Sequence, residues 1–214
     1  GRVIDFGVLG NIFAVFYLVW LLNLYNFMDG IDGLASIEAI SACLGMCLIY
    51  WVLGLPDLIW PAAILAMCVS GFLFWNFPPA KIFMGDAGSG FLGITLGILS
   101  LHSAWVAPQL FCAWVIVLGV FINDATFTLI RRLLRGDKIY EAHRSHGYQY
   151  ASRRYGNHLP VTMAVFGINV LWLLPLAFMV ATLRISGFAG VLIAYIPLLL
   201  LAIKFKSGAL EHSD

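Results

Sequence analysis

Charge is what this sequence has least of. Asp, Glu, Lys and Arg together make up 11% of its 214 residues, where soluble domains carry about 25%, so a soluble globular domain is excluded. Cysteine is sparse too. Cys43, Cys47, Cys68 and Cys112 all fall inside apolar runs, and no histidine or second cysteine pair stands near the Cys43–Cys47 spacing. Neither a disulfide framework nor a zinc site is indicated. A Walker Gly-Lys-Ser/Thr is missing, which rules out the common nucleotide loop. An EF-hand also fails, for want of its spaced acids and terminal Glu. No basic stretch stands clear of the apolar runs, so nucleic acid is not an expected partner. The chain opens Gly-Arg-Val without an initiator Met, and its first apolar run is too long for a signal peptide and lacks a cleavage site. A longer parent protein is therefore expected.

What fills the sequence instead is apolar: 62% hydrophobic residues and a mean hydropathy of +0.94. About 20 such residues cross a bilayer as one helix. On that scale the candidates are 7–24, 35–53, 58–75, 88–104, 107–130, 161–183 and 186–203. The runs are apolar all round rather than alternating, which favours helices over barrel strands. The expected fold is all-α, a polytopic bundle of about seven transmembrane helices. Trp20, Trp51, Trp60, Trp75 and Trp105 fall near run ends, as interfacial tryptophans do.

The connections alternate. Those at 54–57, 105–106 and 184–185 are short and plain, whereas those at 25–34, 76–87 and 131–160 hold nearly every unusual residue. Seven crossings put the three polar loops and the C-terminus on one side. Lys81, Arg131, Arg132, Arg135, Lys138, Arg144, Arg153, Arg154, Lys204 and Lys206 then share that side, with only Arg2 and Arg184 opposite. By the positive-inside rule the motif side is cytoplasmic.

In the first loop Asn23, Asn26, Asp29 and Asp32 recur every three residues, with Gly30 and Gly33 between them. A lone Asp there would read as a helix cap; four amides and carboxylates in register are a stronger signal. The second loop runs from Asn76 through Pro78-Pro79 to Phe83-Met84-Gly85-Asp86-Ala87-Gly88-Ser89. Its glycines lead into a helix whose free N–H groups can receive an anion. Asp86 beside that turn suits a Mg²⁺ shared with phosphate oxygens, although a capped tight turn would look the same. The third loop carries His143-Arg144-Ser145-His146, where donors aimed at phosphoryl oxygens fit better than a zinc site. Its other arginines equally suit anionic head groups. Asp124, inside the fifth run, is expected to pair with a nearby arginine. Carboxylates, a phosphate turn and His/Arg donors beside a long apolar bundle suit phosphoryl transfer with a lipid as one substrate.

At Asn26-x-x-Asp29-Gly-x-Asp32-Gly-Leu34, Phe83-Met84-Gly85-Asp86-Ala-Gly88-Ser89 and His143-Arg-Ser-His146 the chain resembles the polyprenyl-phosphate N-acetylhexosamine-1-phosphate transferases, glycosyltransferase family 4. The motifs occur in family order. The third is looser than the first two, and its surroundings look most like the O-antigen branch. The resemblance implies a multi-pass protein of the bacterial inner (cytoplasmic) membrane, joining a UDP-N-acetylhexosamine to undecaprenyl phosphate with Mg²⁺ as cofactor and UMP as second product. It implies Asp86 as metal ligand; Asn26, Asp29 and Asp32 near the nucleotide or metal–diphosphate region; Phe83 near the uracil; His143 and His146 on the diphosphate. Asn23, Gly85 and Ser89 join the expected substrate contacts, and Arg144 follows from local chemistry. The partners are the two substrates and the bilayer, with a homodimer left open. The family's Asp-Asp-x-x-Asp loop has no counterpart, since no Asp-Asp pair occurs in the sequence. Residues 1–214 are thus expected to be the C-terminal portion of one transferase domain, inactive alone. A transporter or a polyprenyl-carrier-binding scaffold is the alternative.

Overall fold

The computed structural model describes residues 7–138 and 144–210. The regular elements of the described residues are all helical, in the order α1 (Gly7–Met28), α2 (Leu34–Leu53), α3 (Pro56–Asn76), α4 (Gly85–Val106), α5 (Pro108–Val117), α6 (Gly119–Arg135), α7 (Gly147–Tyr155), α8 (Leu159–Ile168), a π-helical segment (Asn169–Leu173), α9 (Leu174–Ala181) and α10 (Gly187–Lys204). Six helical stretches are long and apolar enough to cross a membrane, with α8, the π segment and α9 counting as one. A seventh span is the pair α5–α6, bent by 73° at Leu118. The expected count of seven holds when that pair is one span.

α1 packs along α4, α2 along α3, α5 along α9 and α10 along α6. Inside lie Leu21, Tyr25, Met46, Leu96, Trp114 and Phe121, essentially without exposure. Outside, Phe13, Trp51, Trp60, Phe74, Trp105 and Phe188 are exposed, as a bundle solvated by lipid requires. A soluble protein would not tolerate so much apolar surface.

Polar contacts tie the interior where helices depart from ideal geometry. The Trp114 indole donates to the Tyr50 hydroxyl at 2.6 Å, just ahead of the α5–α6 bend. Where the π segment begins, the Asn169 amide donates to the Glu38 carboxyl at 2.6 Å and to the Ser41 hydroxyl at 2.8 Å. An acid within a span is costly unless paired, and a π turn is a common device for bringing one side chain into register with such a partner.

One end of the bundle collects all three polar loops. Asp32 reaches Ala80 and His158, Tyr148 reaches Phe27, and Gly208, beyond α10, reaches Ser145. The short turns at Gly54, Ala107 and 182–186 lie at the opposite helix ends. The sidedness expected from loop chemistry is therefore the sidedness of the fold.

Candidate active site at the polar end of the bundle

α1 ends at Met28, and the next residues form a short link into α2. Gly33, at φ +73°, turns the chain there, a conformation that L side chains rarely adopt. Its N–H donates to Asn76 Oδ1 at 3.0 Å, while Asn76 Nδ2 donates to the Ile82 carbonyl at 2.9 Å. Asn76 thus clamps the first loop to the second. Gly30 is required for another reason: a Cβ there would lie 2.2 Å from the Tyr148 hydroxyl, which itself donates to the Phe27 carbonyl at 2.9 Å.

These contacts enclose a cavity of about 140 Å³ lined by Asp29, Gly30, Ile31, Asp32, Asn76, Phe83, Met84 and His158. Asp32 is held on both oxygens. Ala80 N–H donates to Oδ2 at 3.0 Å, and His158 Nδ1 lies 3.2 Å from Oδ1. Thr162 donates to the Asp32 carbonyl at 2.9 Å. Asp29 differs. Burial pushes its carboxyl pKa up to about 7, and the nearby Asp86 carboxylate adds to the rise. A buried carboxyl with a second carboxylate close by is a ready site for a cation.

Asp86 stands in the first turn of α4, exposed, where free backbone N–H groups can meet an anion. The Ser89 hydroxyl lies behind that turn, bonding to the Gly85 carbonyl at 3.1 Å and to Asn26 Oδ1 at 3.4 Å. Asn26 and Ser89 thereby join α1 to α4. Phe83 is 78% exposed at the cavity rim, an open aromatic face for a stacking ligand. Gly85, at φ +68°, opens α4 beside it.

The other expected residues stand differently. Asn23 donates to the Val19 carbonyl of its own helix at 2.7 Å and is not among the cavity's lining residues. His146 is 2% exposed, stacked between Phe27 and Tyr148 at centroid distances of 6.1 and 5.8 Å. Burial holds its pKa below the usual histidine value. It stands behind the cavity wall rather than in it. Arg144 is exposed, and its carbonyl accepts from Arg153 at 3.1 Å. His143 lies outside the described residues.

Asp124 does not take an arginine as its partner. Its oxygens accept from the N–H groups of Gly147 and Tyr148 at 2.9 and 3.2 Å and from the Ser207 hydroxyl at 2.8 Å. It caps α7 from a neighbouring helix, meeting the free N–H groups of that helix's first turn. Arg132 turns instead to Asp137, at 3.5 Å.

His158 and Glu38 are absent from the candidates that sequence reasoning reaches. His158 had one weak signal, a polar residue between Asn157 and the Leu159-Pro160 start of an apolar helix. Glu38 is a lone acid in an apolar run. Neither pairing has a local spacing, since His158 meets Asp32 across 126 residues and Glu38 meets Asn169 across 131.

Residues 2–104, just under half of the chain, match the family described as Glycosyl transferase family 4. The match takes in the first two motif loops and stops before the third. A Bacillus subtilis protein named "Probable undecaprenyl-phosphate N-acetylglucosaminyl 1-phosphate transferase" is 51% identical over 78 residues, covering 36% of this chain and 22% of its own. A Thermotoga maritima undecaprenyl-phosphate alpha-N-acetylglucosaminyl 1-phosphate transferase is 33% identical over 92 residues, 43% of this chain and 31% of its own. The phospho-N-acetylmuramoyl-pentapeptide-transferase of Chlamydia muridarum is 43% identical over 65 residues, 29% and 19% respectively. The chain therefore matches less than a third of the length of each of these relatives.

Proposed function

We propose that this chain forms the donor half of an enzyme that transfers N-acetylhexosamine-1-phosphate from a UDP-sugar to undecaprenyl phosphate, at the cytoplasmic face of a bacterial inner membrane, giving the lipid-diphospho-sugar and UMP. The observation that carries this reading is Asp86 in the first turn of α4, near enough to raise the proton affinity of Asp29 in the cavity wall, with Phe83 at the rim. Mg²⁺ typically takes one or two carboxylates and completes its shell with water and phosphate oxygens. The donor set fits that ion, with Asp86 and Asp29 as its protein ligands. When bound, it would neutralise charge on the diphosphate.

The chain's own residues do the rest. Phe83 receives the uracil, the first turn of α4 faces the phosphates, and Asn26 and Ser89 hold α1 and α4 in register. Asp32 is committed to holding Ala80 and His158, so its part is to shape the cavity. His143 and Arg144 would add donors from the third loop, and His146 would position that loop. The family's Asp-Asp-x-x-Asp loop, with no counterpart in this sequence, would supply the group that meets the lipid phosphate. The product would begin an O-antigen-like envelope polysaccharide.

The test is UMP release in detergent, with undecaprenyl phosphate, Mg²⁺ and a panel of UDP-N-acetylhexosamines. The chain is assayed alone and joined to the N-terminal helices of the Bacillus subtilis relative. Release with one sugar from the joined protein, lost in Asp86→Asn and absent from the chain alone, is the expected result. A folded joined protein that releases UMP from no sugar would point instead to a carrier-binding scaffold or a transporter. Against the transporter stands Glu38, the most deeply buried acid among the described residues. It is bonded to Asn169 and lines neither principal cavity.

A further inference from the structure

His158 is the one cation-forming side chain among the residues lining the 140 Å³ cavity. Its side chain is 41% exposed, against 16% for Asp32. Nδ1 lies against the Asp32 carboxylate, which is itself fixed by Ala80 N–H. The backbone on either side is fixed as well. The His158 carbonyl accepts from Val161 and Thr162 N–H at the start of α8, and the Thr162 side chain returns to Asp32. A ring held through one nitrogen by a carboxylate presents its other nitrogen in a set direction. With Nδ1 committed to Asp32, Nε2 is the ring nitrogen left for a ligand.

We propose that His158 contacts the substrate directly, donating Nε2–H to a phosphoryl oxygen of the sugar nucleotide's diphosphate, with Asp32 as the residue that aims it. This inference rests on the transferase reading above. The Asp32 backbone N–H donates to Nδ1 at 3.3 Å, so the ring proton sits on Nε2, and its bond to a phosphate oxygen is charge-assisted.

In the transfer, an oxygen of the lipid phosphate bonds to the sugar-bearing phosphorus. The bond from that phosphorus to the bridging oxygen breaks, and its electron pair leaves with UMP. A phosphate monoester gives up its second proton near pH 6, so UMP departs as a stable anion without a proton donor. What the step needs is a fixed donor where charge gathers. A histidine held by an acid supplies that, and acid catalysis is not required of it.

Two substitutions separate this role from a purely structural one. The amide of Asn falls near the position of Nδ1, and that of Gln near Nε2. His158→Asn therefore keeps the Asp32 contact and loses the ligand donor, while His158→Gln does the reverse. The measurement is calorimetric binding of UDP and of uridine to the chain in detergent with Mg²⁺, with thermal unfolding of each variant alongside. Wild type should bind UDP more tightly than uridine. His158→Asn should bind UDP about 10- to 100-fold more weakly, the loss of one charge-assisted hydrogen bond, with uridine binding unchanged. His158→Gln, which keeps a donor near Nε2 but loses its aim, should bind UDP more weakly than wild type and more tightly than His158→Asn, with uridine binding unchanged. The reverse order, with Asn like wild type and Gln impaired, would make His158 a prop for Asp32 and overturn the proposal. If wild type prefers UDP but neither variant departs from it, His158 has no part in binding and the proposal fails while the transferase reading stands. A wild-type chain that binds UDP no better than uridine would overturn the nucleotide-sugar reading and this inference with it.

Discussion

The two halves of the molecule treat their acids in opposite ways. From α1 to α4 the helices are unbroken, and at their polar ends Asp29 lines a cavity while Asp86 stands near enough to raise its proton affinity. From α5 to α10 the spans are bent by 73° or interrupted by a π segment, and Asp124 is surrounded by donors from α7 and from the segment after α10. The first half holds Asp32 and Glu38 by the fold but buries Asp29 beside Asp86 at a cost, whereas the second spends Asp124 on holding irregular pieces together. An acid whose lone pairs are filled by the fold is scaffold; one buried beside a second carboxylate is a candidate for a ligand. The family match falls on the first half, where the open carboxylates are.

Removing one acid from each half sets the contrast most sharply. Asp86→Asn should lower UMP release by the joined protein more than about 100-fold, the scale for losing a group that stabilises transferring charge, with its unfolding temperature unchanged. Asp124→Ala should instead cost about 3 kcal/mol of stability, because Gly147 N–H, Tyr148 N–H and the Ser207 hydroxyl all lose their acceptor. Thermal unfolding in detergent reads it. If Asp86→Asn destabilised the chain and Asp124→Ala did not, the division between open and committed acids would be wrong.

Gly30→Ala tests the seam between the halves. The added methyl would meet the Tyr148 hydroxyl at 2.2 Å, and overpacking of this kind costs about 1–3 kcal/mol. Combining it with Tyr148→Phe should recover part of the loss. No recovery would mean the clash is relieved elsewhere.

The smallest effect is a pH dependence. Asp29 has its pKa raised from 3.8 to about 7, so the unfolded chain gives up this proton first. Its contribution to stability is fully present below about pH 4 and is lost as pH rises through 7. Asp29→Asn should flatten that fall, and Mg²⁺ should reduce it in wild type. An unchanged slope in the variant would place the titration elsewhere.

Much of this was legible in the sequence because membrane helices are. Runs of about 20 apolar residues cannot be mistaken for loops, and the polar loops sort to one side by charge. The first two motif loops were found as motifs and do meet. What stayed hidden is long-range or depends on a break. Nothing local distinguishes His158 from any polar residue ahead of a helix, and its meaning comes only from Asp32. Asp124 was legible as costly, but its partners were not, because backbone N–H groups leave no mark in a sequence. The bend at Leu118 has no proline to announce it, and the π segment follows from a buried Glu38–Asn169 pair.

The most direct test of the account is calorimetric binding of UDP to the chain in detergent, with and without Mg²⁺, in wild type and Asp86→Asn. The account predicts binding that requires Mg²⁺ and disappears in the variant, since Asp86 would hold the ion that neutralises the phosphates. Equal UDP affinity without Mg²⁺, retained in Asp86→Asn, would contradict the assignment of the paired carboxylates to a cation and its nucleotide.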